Sequence, residues 1–84
     1  MKPNPLNDAI PHLCKRLNAD QFALREVCKL MTGARIDEPV AVGVDDEGSD
    51  IRADFGVVRM NWPSPVMDAD ECELVIASLI GGVV

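Results

Sequence analysis

The chain has 84 residues, 48% of them hydrophobic, and a formal net charge of −6 at pH 7. That length admits one domain with a thin core, burying about 60–65% of its unfolded surface, and the hydrophobic content excludes a disordered chain. The longest apolar run, Leu74 to Val84, is too short to span a bilayer and is interrupted by Ser78 and two glycines.

The charge is sorted along the chain. Residues 1–35 carry six basic and three acidic residues, a balance of +3, whereas residues 36–84 carry two basic and eleven acidic ones, a balance of −9. Such segregation points to an electrostatic partner more than to a reaction. Cys14, Cys28 and Cys72 are an odd, widely spaced set, unlike the even disulfide framework of a small secreted domain. They read as reduced thiols in a cytoplasm. No apolar segment follows Lys2, so no signal peptide is expected.

In chain order, residues 1–6 read as a flexible N-terminus. A first helix is predicted over about 8–18, with Leu6, Ile10, Leu13 and Leu17 at helical spacing, Asn7 or Asp8 as cap and Pro11 in the first turn. A second is predicted over about 21–32, capped by Asp20 and ended by Gly33, with Leu24, Val27, Cys28 and Met31 as its apolar stripe. The two pair best as an αα-hairpin.

Strand chemistry follows. Val40, Val42 and Val44 alternate onto one face, and residues 45–50 form a polar turn. From Ile51 to Trp62 the alternation slips: Ile51, Ala53 and Phe55 share one parity, Val58, Met60 and Trp62 the other. A one-residue bulge at Gly56 would put all six on one side, giving a single antiparallel hairpin. Residues 35–37 are the candidate for a short third strand. Pro63 and Pro65 make 63–67 an extended linker within the domain. A third helix is predicted over about 69–80, with Asp68 as cap, Glu71 completing a capping-box pair, and Cys72, Val75, Ile76, Leu79 and Ile80 as the stripe. The expected fold is a small single α+β domain of order α-α-β-β-α, its hairpin packed against helices.

Few residues carry chemistry. His12, Cys14, Cys28 and Cys72 contain the ligand types of a zinc site but not its two close pairs, and Cys28 and Cys72 fall on apolar stripes. Ser49, Ser64, Ser78 and the cysteines lack a nucleophile elbow or an orienting acid placed by spacing, so no enzyme is expected. A calcium loop with Gly48 at its sixth position would put Gly43 at its first, where a side-chain oxygen is needed. Ser49 reads into a strand, not the helix start an acyl carrier requires. Lys15, Arg16, Arg25, Lys29 and Arg35 lie on or beside two helices, loosely like a helix-turn-helix with a wing. The acidic wing tip would repel phosphate, so direct nucleic-acid binding is not expected.

The acids gather at residues 45–50 and 68–73. Helix capping accounts for part of the second group but not for the first. Side by side, the two groups would form one negative surface able to occupy a basic groove on another protein. The residues assigned to that surface are Asp45, Asp46, Glu47, Asp50, Asp70, Glu71 and Glu73. The expected function is a non-catalytic protein-binding module, in concrete form an inhibitor of phage or mobile-element type that covers a basic, nucleic-acid-binding surface. No cofactor, metal or membrane is expected. The alternative is a small homo-oligomeric structural or assembly subunit, associating through a sheet edge and the apolar C-terminus.

Overall fold

The computed structural model describes residues 4–82, and its elements are those of an α+β fold. A 3-10 turn (Asn7–Ala9) leads into α1 (Ile10–Asn18) and α2 (Gln21–Thr32), followed by β1 (Val40–Val44), β2 (Gly48–Ala53), β3 (Gly56–Asn61) and α3 (Ala69–Gly81). The strands form one antiparallel sheet in the order β1-β2-β3. Against one sheet face, α1 lies on β1 and α2 on β3, and α3 packs on both helices.

The helix signals act as their chemistry dictates. Asp20 accepts from the Ala23 N–H at 3.1 Å, and Gly33 leaves α2 at φ 75°, a left-handed geometry that suits glycine. Asp68 accepts from the Glu71 N–H at 2.8 Å. The first helix differs. Neither Asn7 nor Asp8 caps it, and the 3-10 turn precedes it, with Pro11 in the first helical turn as expected. Residues 4–6 pack on the domain: Leu6 is buried, the Asn4 amide donates to Val44 O at 2.8 Å, and Asn4 Oδ1 accepts from the Leu6 N–H. Residues 1–3 lie outside the described residues.

The sheet has a third strand, and its origin corrects the sequence reading. Residues 51–62 are not one bulged strand. They fold back at Asp54-Phe55 into β2 and β3, with Ala53 paired to Gly56, which takes φ 135°. Residues 35–37 form no strand. A two-residue turn produces the same parity slip as a bulge. Ile51 faces Val58 and Ser49 faces Met60, so all four point inward together, with Trp62 buried just beyond. Phe55, expected on that inner face, stands at the turn, 69% exposed.

The real irregularity is in β1, where the register shifts between Ala41 and Gly43. It separates the three valines expected on one face: Val44 turns into the core, Val42 is exposed and Val40 is half-buried. The Ser49 hydroxyl, fully buried, donates to Gly43 O at 2.7 Å and satisfies the carbonyl displaced there. The core behind the sheet is mostly aliphatic, with Leu13, Leu17, Leu24, Ile51, Met60 and Ile76 almost fully buried.

The two sheet edges are treated differently. The Asn18 amide both accepts from the Ala41 N–H (2.8 Å) and donates to Ala41 O (3.1 Å), and Gln21 donates to Pro39 O just before the strand. With Asn4 on Val44 O, three amide side chains close the β1 edge. Among the described residues, nothing comparable covers β3.

Candidate functional site

The acidic turn between β1 and β2 is built by its own first residue. Asp45 Oδ1 accepts from the backbone N–H groups of Glu47 (2.8 Å) and Gly48 (2.9 Å), and the Asp45 N–H donates to Gly48 O. Helix capping does not explain Asp45, as expected, but the side chain builds the turn itself. The turn is also tied to the segment that leads into α3. Trp62 N–H donates to Glu47 O, Val66 N–H donates to Asp46 O, and the Trp62 indole donates to Asp45 O at 3.0 Å.

Cross-strand pairing brings one cation to this turn. Asp50 lies opposite Arg59, whose guanidinium reaches Asp45 at 2.6 Å and Asp50 at 3.2 Å. Burial pulls the Asp45 carboxyl upward. The Arg59 hydrogen bond and the two backbone N–H groups outweigh it, holding the group below its ordinary range. A depressed carboxylate stabilises the fold above its unfolded value and loses that contribution as pH falls through the folded value. Asp45 and Arg59 are each about a third exposed, so solvent screening keeps the effect below about 1 kcal/mol. The stability gap between the wild type and Asp45→Asn, followed by urea denaturation, is expected to hold above about pH 5 and to close below about pH 4.

The seven nominated acids thus divide. Asp45 and Asp50 are held by Arg59, and Glu73 by His12 Nε2 (2.9 Å) and Arg16 Nε (3.5 Å). Asp46 is half-buried. Glu47, Asp70 and Glu71 are exposed, and among the described residues no cation lies within ion-pairing distance of them. Cys72 feels one acid from each group. Burial, then the nearby charges of Glu73 and Asp45, push the Cys72 thiol up to about 11.

The sequence reading missed one feature of α3. The 63–66 segment and the ridge Glu71, Leu74, Val75, Ser78 and Leu79 of α3 enclose an open groove of about 340 Å³. Leu74 is 72% exposed, and Met67, which follows the 63–66 segment, 78%. Of the predicted stripe only Cys72 and Ile76 are fully buried, leaving Val75, Leu79 and Ile80 half-buried. A helix apolar on more than one face is normally covered on more than one face. The available signal was Leu74, an apolar residue standing off the stripe.

Cys14, Cys28 and Cys72 are free thiols, and burial raises all three. At pH 8 a thiol reagent is expected to label half-buried Cys14 in the native chain and to reach Cys28 and Cys72 only in denaturant. Rapid labelling of all three in the native chain would contradict this burial. Among the described residues no cluster of metal-ligating side chains forms, and no helix is long and apolar enough to cross a membrane.

The fold recurs in solved structures. A heme binding protein from Mycobacterium smegmatis superposes with a TM-score of 0.76 at 23% identity, over 96% of this chain and 36% of that chain. A protein of unknown function from Agrobacterium tumefaciens superposes with a TM-score of 0.73 at 21% identity, over 90% of this chain and 32% of that one. At these identities the likeness is one of fold, and this chain spans about a third of the length of either protein. No protein-family model matches the chain, and no curated sequence is similar to it.

Proposed function

We propose that the chain is a non-catalytic protein-binding module that docks a basic, partly apolar surface of another protein or domain. The observation that carries this reading is the exposed apolar face of α3: Leu74 stands in water beside a groove whose acidic end is Glu71. Glu47, Asp70 and Glu71 supply the steering charge, while Asp45 and Asp50 hold the turn in place. The narrower form, an inhibitor that covers a nucleic-acid-binding surface, rests on the −9 balance of residues 36–84. A cytoplasmic location rests on the three free thiols.

The test is affinity capture with the tagged chain, comparing wild type, Leu74→Lys and the double variant Asp70→Asn/Glu71→Gln. A specific partner is expected to be lost at least tenfold with Leu74→Lys. The double variant is expected to weaken capture several-fold and to flatten its salt dependence. Equal capture by all three chains would sink the reading. Heme binding is stated of the M. smegmatis neighbour as a whole. On the docking reading, hemin added to this chain gives no saturable Soret band that depends on His12, and such a band would replace the reading.

A second reading, self-association, is favoured by the contrast between the sheet edges. The β1 edge is closed by Asn4, Asn18 and Gln21, whereas β3 carries exposed Val57 and is flanked by exposed Phe55. Light scattering separates the two: association with rising concentration that Val57→Lys abolishes favours the oligomer, and a constant monomer favours the module.

A further inference from the structure

Arg25, Lys29 and Arg35 line no part of the α3 groove. Arg25 and Lys29 stand one turn apart on α2, and Arg35 follows just after Gly33 has ended that helix. All three are exposed, and all three line one concave pocket of about 170 Å³ completed by Glu26, Ile36 and Asp37. Ile36 is buried and anchors the pocket floor to the core.

These cations are treated unlike Arg16 and Arg59, which sit on carboxylates. Among the described residues no ion pair involves Arg25, Lys29 or Arg35, although Glu26 and Asp37 line the same pocket. Among the described residues Lys15 and Arg52 also lack an ion pair, so what sets Arg25, Lys29 and Arg35 apart is that they share one pocket. A wider depression of about 580 Å³ adjoins, sharing Arg25 and Asp37 and adding Gln21, Glu38 and Val40.

Two guanidinium groups and an ammonium around a small concavity match the oxygens of a phosphate group, which guanidinium can bind in bidentate fashion. Three cations against two carboxylates leave one net positive charge in the smaller pocket. The wider depression offers the opposite chemistry: Asp37 and Glu38 accept hydrogen bonds from hydroxyl groups and repel further phosphates. This favours one terminal phosphate on a hydroxylated body over a nucleic-acid backbone, which presents a phosphate at every step. We propose that Arg25, Lys29 and Arg35 bind the phosphate group of a small phosphorylated, hydroxyl-bearing molecule whose body lies over residues 37–40.

The experiment is an amide NMR titration of the full chain at constant ionic strength with inorganic phosphate, ribose 5-phosphate and a short single-stranded RNA. Saturable shifts confined to residues 21–40 are expected, with ribose 5-phosphate bound at least tenfold more tightly than inorganic phosphate. Arg25→Gln/Lys29→Gln is expected to weaken both at least tenfold, with an unchanged spectrum elsewhere, while Lys15→Gln leaves them unaltered. Shifts that do not saturate, or that persist in the double variant, overturn the proposal. Binding of the RNA without binding of ribose 5-phosphate overturns it in favour of a nucleic-acid contact.

Discussion

Gly48→Ala is expected to destabilise the fold by about 3 kcal/mol, measured by urea denaturation at 25 °C. Gly48 is buried at the start of β2, opposite Asn61 on β3. A Cβ there would overlap the Met60 carbonyl oxygen and come within 2.7 Å of Asn61 Cα. Both obstacles are backbone, so the strands themselves must part. The same residue closes the acidic turn, donating to Asp45 and accepting from its N–H. Displacement would therefore loosen the Asp45–Arg59 clamp as well. For an 84-residue domain the total stability is on the order of 4–13 kcal/mol, so such a loss is a large share of it. Gly81→Ala is the control. A Cβ there meets nothing within 4 Å, and in the last turn of α3 alanine is expected to be neutral or to stabilise by up to about 1 kcal/mol.

The second large effect lies at the β1 edge. Asn18→Ala is expected to cost about 2–3 kcal/mol, because it strips both partners from the buried Ala41 backbone at once. Asn18→Asp separates the two bonds. It keeps the acceptor for the Ala41 N–H, sets a second oxygen against Ala41 O, and is expected to fall between wild type and alanine at neutral pH. Opening the edge is also expected to promote association, seen as light scattering that rises with concentration in Asn18→Ala but not in wild type. A loss below about 0.5 kcal/mol, with no change in association, would mean that the amide does not seal β1.

The helices were legible because their signals are local. Asp20, Gly33 and Asp68 act within one turn of themselves, and the apolar spacing fixed which face turns inward. The sheet was less so. A two-residue turn at Asp54-Phe55 and a one-residue bulge at Gly56 shift the alternation equally, so the pattern of Ile51, Ala53, Val58 and Met60 fits either. Choosing the bulge hid the 50–59 pairing, and with it the cation that holds Asp45 and Asp50. The β1 irregularity at Val42 had no signal beyond Gly43, because the Ser49 hydroxyl that supports it arrives from the next strand. The groove beside α3 was hidden for a similar reason. Helical spacing shows which residues are apolar, but only packing shows that α1 and α2 cover one side of α3 and leave Leu74 bare.

The docking claim is tested most directly by an amide NMR footprint of the captured partner on the labelled chain. The account predicts shifts and exchange protection along 63–67 and through Glu71, Leu74 and Ser78 of α3, weakening as salt rises. A footprint on Val42, Arg52 and Val57 of the outer sheet face, with α3 unchanged, would contradict it.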